Sequence, residues 1–330
     1  MMKHILNIAF VLAGLVLSCP GFGQDASFSQ FYHLGHWYNP ARAGAMQQQV
    51  KAGVHYRRQW AAVGDGFRTN AFNGEIRSLK SPFSAGLLIV DDKAGKAQLK
   101  TFQAQLSLAY VIKINYKSFL AAGLRVGFFQ RSIDMNGLKW DSQYNGYQYD
   151  PTLDNRELVF ASTTGSVLDV GAGTFYRKDG KYRWGAGYAF HHTGQQITYL
   201  QNGNDFLRIR QVFMGFVETD YRRFTGRLDA IVQRQGGAME VLGFARGEYR
   251  FGAESRYTKE NNSSAVYLGC GFRATNAIVP MIGFEWERIL EIGFSYDIML
   301  SGIARATTFS GGPEVALIYR YSIDKRIKIH

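Results

Sequence analysis

The chain has 330 residues, of which 46% are hydrophobic, 15% aromatic and only 19% charged, and it contains 37 glycines. Disordered chains lack aromatic and β-branched residues and coiled coils lack glycine, so this composition excludes both classes and favours a β-rich fold. The net charge of +12 comes from basic residues that are scattered along the whole chain, with a basic run only at 325–328. Such scatter suits a rim or lining that faces anionic lipid headgroups or acidic proteins better than a nucleic-acid site.

A cleaved secretory signal peptide is predicted over residues 1–23. Lys3 and His4 precede an apolar run over 5–17, and small residues lead to a cleavage site after Gly23. The apolar run is shorter than the roughly 20 residues that a membrane-spanning helix needs. No other segment is longer or more apolar, so we expect the mature protein to have no transmembrane helix.

Regular alternation of apolar and polar residues begins near residue 50 and continues almost to the end of the chain. Between Lys100 and Ile112, for example, Leu106 and Leu108 alternate with Ser107. Sustained period-two alternation predicts strands with one apolar and one polar or small-residue face. In chain order, the predicted strands span 50–58, 68–77, 83–91, 99–112, 118–131, 164–177, 181–191, 206–217, 223–234, 238–250, 264–273, 277–286, 289–300 and 313–323.

The number of predicted strands favours a transmembrane β-barrel. Bacterial outer-membrane barrels have an even number of strands, and about 22 residues per strand and connection suits spanning strands of roughly 9–11 residues. A soluble β-sandwich also alternates, but its strands are usually about five or six residues and its outer face carries more charge. We therefore predict an all-β outer-membrane barrel of about 14 antiparallel strands within residues 50–323.

The register of most strands is expected to be well specified. In the strand that begins near Tyr182, aromatic residues alternate with polar or small ones, and a slip by one residue would turn Arg183 toward lipid. That slip would cost about 2 to 4 kcal/mol near the membrane midplane. The strand over 83–91 is the exception, because its consecutive apolar residues at 87–90 do not identify a face.

The connections predict which end of the barrel faces outward. With the N-terminus in the periplasm, the odd-numbered connections face outward, and the longest of these are 132–163, 192–205 and 301–312. Most of the even-numbered connections are short periplasmic turns. The connection over 252–263 differs from these and predicts an unusually long periplasmic turn.

The mature segment before the first strand, residues 24–49, is rich in Phe, Tyr and Trp. A barrel of about fourteen strands has an interior wide enough to need a filling. We therefore expect this segment to pack in or under the lumen as a plug, with Asn39-Pro40 making its turn. A basic tail over 324–330 follows the last predicted strand.

Few residues point to an enzyme, a cofactor or a metal site. The glycine pairs Gly171/Gly173 and Gly185/Gly187 lie inside strands and lack the third glycine and the helix start of a dinucleotide site. We therefore interpret them as lumen glycines that make room for neighbouring aromatic rings. The histidine pairs at 33 and 36 and at 191–192 have no carboxylate or cysteine that completes a metal signature. Cys270 falls in an alternating pattern and predicts a packed thiol rather than a nucleophile.

Seven short segments of the chain resemble a known family in their order and spacing. They are Gln24–Gln30, Tyr38–Gly44, Tyr56–Trp60, Asp91–Gly95, Gly123–Gly127, Leu138–Tyr144 and Gly293–Asp297. The chain is similar in these segments to the PorP/SprF family of type IX secretion membrane proteins of the Bacteroidota. The resemblance extends over essentially the whole mature chain.

This resemblance implies a non-enzymatic outer-membrane component that serves type IX secretion or gliding motility, with no cofactor. SprF-like members are associated with surface display of large adhesins, and PorP-like members with the periplasmic lipoprotein ring of the secretion machine. The implied partners are outer-membrane lipid and lipopolysaccharide, a secreted adhesin or ring lipoproteins, with no nucleic acid and no small-molecule substrate. The alternative is a passive channel or small-molecule transporter.

The positions that carry the resemblance are candidates for partner binding or plug contacts. An alternative of equal weight is structural, with Asn39-Pro40 serving as a turn and Tyr296-Asp297 as a girdle tyrosine beside a lumen acid. The candidates are Asn39, Pro40, Gly44, Tyr56, Arg57, Gln59, Trp60, Trp140, Asp141, Gln143, Tyr144, Tyr296, Asp297, Ser301 and Glu314.

Overall fold

The protein forms a closed β-barrel of fourteen antiparallel strands in a computed structural model. Each barrel strand pairs with the barrel strand that comes next in the chain, and the first strand pairs with the last to close the cylinder. The predicted fold class is therefore confirmed. The structure describes residues 25–45, 48–60, 66–95, 99–133, 141–150, 152–153, 164–193, 196–197, 205–254, 261–274, 277–300 and 310–322.

Each barrel strand lies within four residues of its predicted boundaries. The first seven are β1 (Val50–Gln59), β2 (Phe67–Arg77), β3 (Phe83–Ala94), β4 (Leu99–Asn115), β5 (Ser118–Ser132), β6 (Thr164–Lys178) and β7 (Tyr182–His191). A separate two-stranded sheet of β8 (Gln196–Ile197) and β9 (Asp205–Phe206) follows. The remaining barrel strands are β10 (Arg210–Tyr221), β11 (Phe224–Gln235), β12 (Ala238–Glu254), β13 (Asn261–Arg273), β14 (Ala277–Trp286), β15 (Leu290–Met299) and β16 (Ser310–Tyr321).

Short helical turns precede the barrel and interrupt its longest connection. They are the 3-10 turns Phe31–His33, Pro40–Arg42 and Asp141–Gln143 and the single-turn helix α1 (Gly35–Tyr38). Among the described residues, none of the helices has the length and apolar character needed to cross a bilayer.

The alternation read from the sequence corresponds to the two faces of the barrel wall. On β4, Gln105 and Ser107 point inward and are almost fully buried, whereas Leu106 and Leu108 point outward and are about half exposed. The same division holds on β15 and β16, where Glu291 lies inside. The apolar rows therefore form the outer surface that contacts lipid.

Strand β3 shows why its consecutive apolar residues did not identify a face. Leu88 and Val90 point inward and are buried, whereas Leu87 points outward and is exposed. The two inward residues belong to an apolar cluster with Phe28 and Trp37, which come from the segment before β1. The interior is packed with apolar groups at this point, so both faces of β3 are apolar.

The two ends of the barrel differ in the length of their connections. The turns at Tyr116-Lys117 and Arg222-Arg223 are short and lie at the end where β1 begins and β16 finishes. The long connection between β5 and β6 lies at the opposite end. Because short turns are periplasmic in outer-membrane barrels, we call these the periplasmic end and the outer end.

One predicted connection and one predicted strand have other bounds in the structure. The turn predicted over 252–263 is shorter, because β12 and β13 continue to pair until Glu254 lies opposite Asn261. The strand predicted over 206–217 is Arg210–Tyr221, since Phe206 pairs in the small sheet and barrel pairing starts at Arg210.

Cys270 also differs from its prediction. It is exposed on the outward face of β13, where the alternate residues Gly271 and Arg273 point inward. The predicted signal peptide over 1–23 and the tail over 324–330 lie outside the described residues.

Candidate functional site

Residues 25–45 lie inside the barrel, and we call them the lumen segment. Its large apolar side chains, which include Phe28, Leu34 and Trp37, are completely shielded from solvent. Its hydrogen bonds reach strands around the barrel, including β2, β6, β11 and β16. A segment that contacts strands on all sides of a closed cylinder lies within that cylinder.

The lumen segment runs from the outer end of the barrel to the periplasmic end. Asp25 contacts His192 and Gln235, which lie at the outer ends of β7 and β11. Gly44 contacts Glu75, which lies near the periplasmic end of β2. The chain therefore passes down through the lumen before it enters β1.

A buried charged cluster holds the first part of the lumen segment. The carboxylate of Glu314 accepts hydrogen bonds from the backbone N–H groups of Ser29 at 2.7 Å and Gln30 at 2.8 Å. The Ser29 hydroxyl donates to Asp297 at 2.7 Å, and Arg57 donates to Asp297. The Arg57 Nε atom lies 3.4 Å from Glu314. We call Arg57, Asp297 and Glu314 the Arg57 cluster.

The Arg57 cluster joins three candidates from the sequence. Their side chains are each exposed by 3% or less, so the two carboxylates depend on nearby cations. Arg273 supplies a second cation and donates to the Ser29 hydroxyl at 3.2 Å. The cluster thus ties β1, β15 and β16, where the barrel closes, to the lumen segment.

The second contact of the lumen segment is the turn at Asn39-Pro40. The Asn39 side-chain oxygen accepts from the Ala41 N–H at 3.0 Å, and Pro40 occupies the first position of the 3-10 turn, where no N–H is required. The Asn39 amide donates to the backbone carbonyls of Thr174 at 2.9 Å and Tyr188 at 3.4 Å. One side chain therefore closes the turn and attaches it to β6 and β7.

Glycines of the wall make space for this turn. A Cβ atom at Gly123 would lie 2.3 Å from the Ala41 nitrogen, and one at Gly173 would lie 2.3 Å from the Asn39 side-chain oxygen. The lumen glycines were interpreted as space for aromatic rings, and this is correct only in part. Gly187 faces both the Phe175 ring and the Asn39 amide.

Substitution of Gly123 by Ala is expected to displace the Asn39 turn, because the added methyl would collide with backbone atoms of the lumen segment. We expect a loss of about 1 to 3 kcal/mol in unfolding free energy, as for overpacked sites. Urea unfolding followed by tryptophan fluorescence measures this loss. Gly243→Ala is the control, since nothing lies within 4 Å of an added Cβ there. Equal stability of the two variants would contradict the close packing of the turn.

Glu75 holds the last part of the lumen segment. Its carboxylate accepts from the Gly44 N–H at 2.9 Å, pairs with Lys51 at 2.7 Å and lies 3.3 Å from His36. Gly44 has a φ of +69°, and a Cβ atom there would lie 2.4 Å from the Cβ atom of Ser84. Only glycine therefore fits the backbone conformation and the close approach at this candidate position.

A second charged cluster surrounds His192 at the outer end. Its Nε2 atom lies 2.6 Å from Asp25, and its Nδ1 atom lies 2.9 Å from Asp169. Arg210 donates to Asp25 at 3.2 Å, and Arg125 donates to Asp169 at 3.0 Å. Burial alone would lower the pKa of His192, but the two carboxylates outweigh it and raise the pKa. Burial likewise acts to raise the pKa of Asp25, but His192 and Arg210 hold it far below its usual range.

The raised pKa of His192 predicts a pH dependence. Because the pKa is higher in the folded state than the ordinary value of about 6.5, this histidine contributes full stability below that pH. The contribution is lost as the pH rises through the raised value. We expect the urea midpoint to fall across this range in the wild type and to fall less in His192→Gln. Parallel curves would contradict a charged His192 between Asp25 and Asp169.

Several candidates lie away from the lumen segment. Tyr56 and Tyr296 point outward on β1 and β15. Gln59 ends β1, and the Trp60 N–H donates to the Gly311 carbonyl at 2.7 Å while its ring packs edge-on against Phe67. These residues lie at the outer rim and on the lipid-facing wall.

The candidates of the β5–β6 connection form a local structure of their own. Asp141 begins a 3-10 turn, and the Gln143 amide donates to the Leu153 carbonyl at 3.2 Å. Tyr144 is about half exposed and pairs with Tyr149 in an isolated bridge. Trp140 and Ser301 lie outside the described residues.

Sequence reasoning did not identify the wall residues that complete these clusters. Glu75, Asp169, Arg125, Arg210 and Arg273 are buried polar residues that face the lumen segment. All of them occupy inward positions of strands, so the alternation could have identified them as residues that face the lumen. Among the described residues, no group of three or more His, Cys, Asp or Glu side chains is arranged to hold a metal ion.

Known proteins are similar to this chain in family and in fold. The family described as "Type IX secretion system membrane protein PorP/SprF" matches residues 21–319. The toluene transporter TbuX of Ralstonia pickettii has 12% identity and a TM-score of 0.50 over 93% of this chain and 100% of that chain. A Pseudomonas aeruginosa FadL homologue has 10% identity and a TM-score of 0.45 over 86% of this chain and 93% of that chain. No curated protein matches.

Proposed function

Because the chain belongs to the PorP/SprF family of type IX secretion system membrane proteins, we propose that it is a closed scaffold of that machinery and not an enzyme. It is an outer-membrane barrel, and family and fold point to a secretion component. The scaffold supports secretion or surface attachment of a large adhesin, or docks the periplasmic lipoprotein ring. A cleaved signal peptide over residues 1–23 delivers it to the periplasm.

The occupied lumen is the observation that carries this proposal. The lumen segment contacts the wall through the Arg57 cluster, the Asn39 turn, Glu75 and the His192 cluster. A passive channel needs a continuous aqueous path, and a segment held at both ends of the barrel obstructs one. Because the lumen segment fills the interior, we expect partners to bind at the two ends of the barrel. The rim residues near Trp60 and the loop residues near Tyr144 lie at the outer end.

Affinity isolation from detergent-extracted outer membranes tests the scaffold proposal. We expect a stoichiometric partner to co-purify with the tagged full chain, and mass spectrometry identifies it. A very large surface protein indicates adhesin attachment, whereas periplasmic lipoproteins indicate ring docking. Single-channel recording of the same preparation separates the alternative: large, stable conductance with no partner would support a passive channel and contradict the scaffold.

A further inference from the structure

The periplasmic end of the barrel carries exposed basic side chains on four successive turns. These turns connect β2 to β3, β4 to β5, β6 to β7 and β10 to β11. We call the basic side chains the periplasmic cations. They are Lys80, Lys117, Lys178, Lys181, Arg222 and Arg223, all of which are exposed.

The periplasmic cations differ from the other charged residues near them. None forms an ion pair with a carboxylate of the part of the chain that the structure describes. The neighbouring acids are already engaged, since Asp179 pairs with Arg177 at 2.7 Å and Asp220 pairs with Arg183 at 2.6 Å. The positive charge of these six side chains is therefore available at this rim.

Three of the cations lie beside exposed tyrosines. Lys117 lies 5.1 Å from the centre of the Tyr116 ring, and Lys181 lies 5.7 Å from that of Tyr182. Arg222 lies 5.5 Å from that of Tyr221. The three tyrosines are 76%, 58% and 70% exposed. Tyrosines on the outward face of a barrel mark the level of the lipid headgroups.

We propose that the periplasmic cations bind the phosphates of anionic phospholipids in the inner leaflet of the outer membrane. Each tyrosine contacts the acyl boundary, and the adjacent cation lies at the level of the phosphate. Tyr182 and Tyr221 continue the outward rows that contain Trp184 and Val217, so these cations face the bilayer and not the mouth of the lumen. This placement favours lipid over an acidic protein docked on the mouth.

The test compares lipid binding to the wild type and to Lys117→Gln/Lys181→Gln/Arg222→Gln. The full chain in neutral detergent is titrated with phosphatidylglycerol and with phosphatidylcholine, and bound lipid is counted by native mass spectrometry. A basic residue near an anionic surface contributes enough for about a fivefold change in affinity, so the triple variant should lose at least about fivefold for phosphatidylglycerol. Its binding of phosphatidylcholine should not change.

The matched control is Arg58→Gln/Arg68→Gln/Arg234→Gln, which removes three exposed cations near the outer end. We expect it to retain phosphatidylglycerol binding. Equal binding by the wild type and the periplasmic variant would overturn the proposal, and so would an equal loss in the control. Unchanged lipid binding with loss of a co-purified acidic protein would assign the rim to a protein partner instead.

Discussion

Deletion of residues 25–45 is expected to convert a closed barrel into a conducting one. The deletion removes the side chains that fill the lumen, among them Phe28, Phe31 and Trp37. It leaves an inner wall on which buried charged residues alternate with apolar ones, and water can enter along the charged residues. Planar-bilayer recording should show large, stable steps for the deletion variant and none for the wild type.

Stability should fall in the same variant. Each fully buried large apolar side chain contributes about 1.5 to 3 kcal/mol, and the wall loses its packing partners with the segment. A deletion of 141–150 from the β5–β6 connection is the control, since its described hydrogen bonds lie within that connection. Conductance of the wild type equal to that of the deletion variant, with both barrels intact by circular dichroism, would contradict the plug.

Arg57→Met should be among the most destabilising single substitutions. Arg57 is buried between Asp297 and Glu314, and its loss leaves two buried carboxylates with Arg273 as the remaining nearby cation. Removing one partner of a buried ion pair costs about 3 to 5 kcal/mol. We expect a loss of that size in the unfolding free energy measured by urea titration of the refolded barrel.

The neighbouring residue provides a matched control for this substitution. Arg58 lies one position further along β1, points outward and is exposed, so Arg58→Met should change stability by less than about 0.5 kcal/mol. Similar losses for the two variants would show that the Arg57 cluster does not hold the segment. In Arg57→Met, conductance should also rise, because the segment loses part of its attachment.

Much of the barrel is encoded in local alternation. The rows with Leu106 or Leu124 outside predict both the strands and their faces, because every second side chain must contact lipid. The pattern did not identify the inward face of β3 at Leu88 and Val90, because that face contacts the lumen segment instead of water. Alternation reports polarity and therefore identifies faces only where the two environments differ.

The site was harder to predict than the barrel. Arg57 and Asp297 are 240 residues apart in sequence and meet only because β1 pairs with β16 when the barrel closes. The resemblance to the family singled out both residues and Glu314 without indicating that they touch. Glu75 and Asp169 were missed because inward acids on strands look alike until the path of the lumen segment is known.

The lumen segment links distant parts of the barrel wall. Asp25 lies at the outer end among His192, Arg210 and Gln235, and Gly44 contacts Glu75 near the periplasmic end. The Arg57 cluster adds β1, β15 and β16 to these contacts. The segment therefore contacts the strands that close the barrel as well as strands in its middle.

Disulfide trapping in intact outer membranes tests most directly whether residues 25–45 occupy the lumen. A Cβ atom at Gly86 would lie 3.3 Å from the Cβ atom of Ala43, close to the separation of about 3.5–4.5 Å in disulfides. In a Cys270→Ser background, Ala43→Cys/Gly86→Cys should crosslink almost completely, whereas Ala43→Cys/Gly243→Cys should not. Free, maleimide-reactive thiols in the first variant would contradict a lumen filled by this segment.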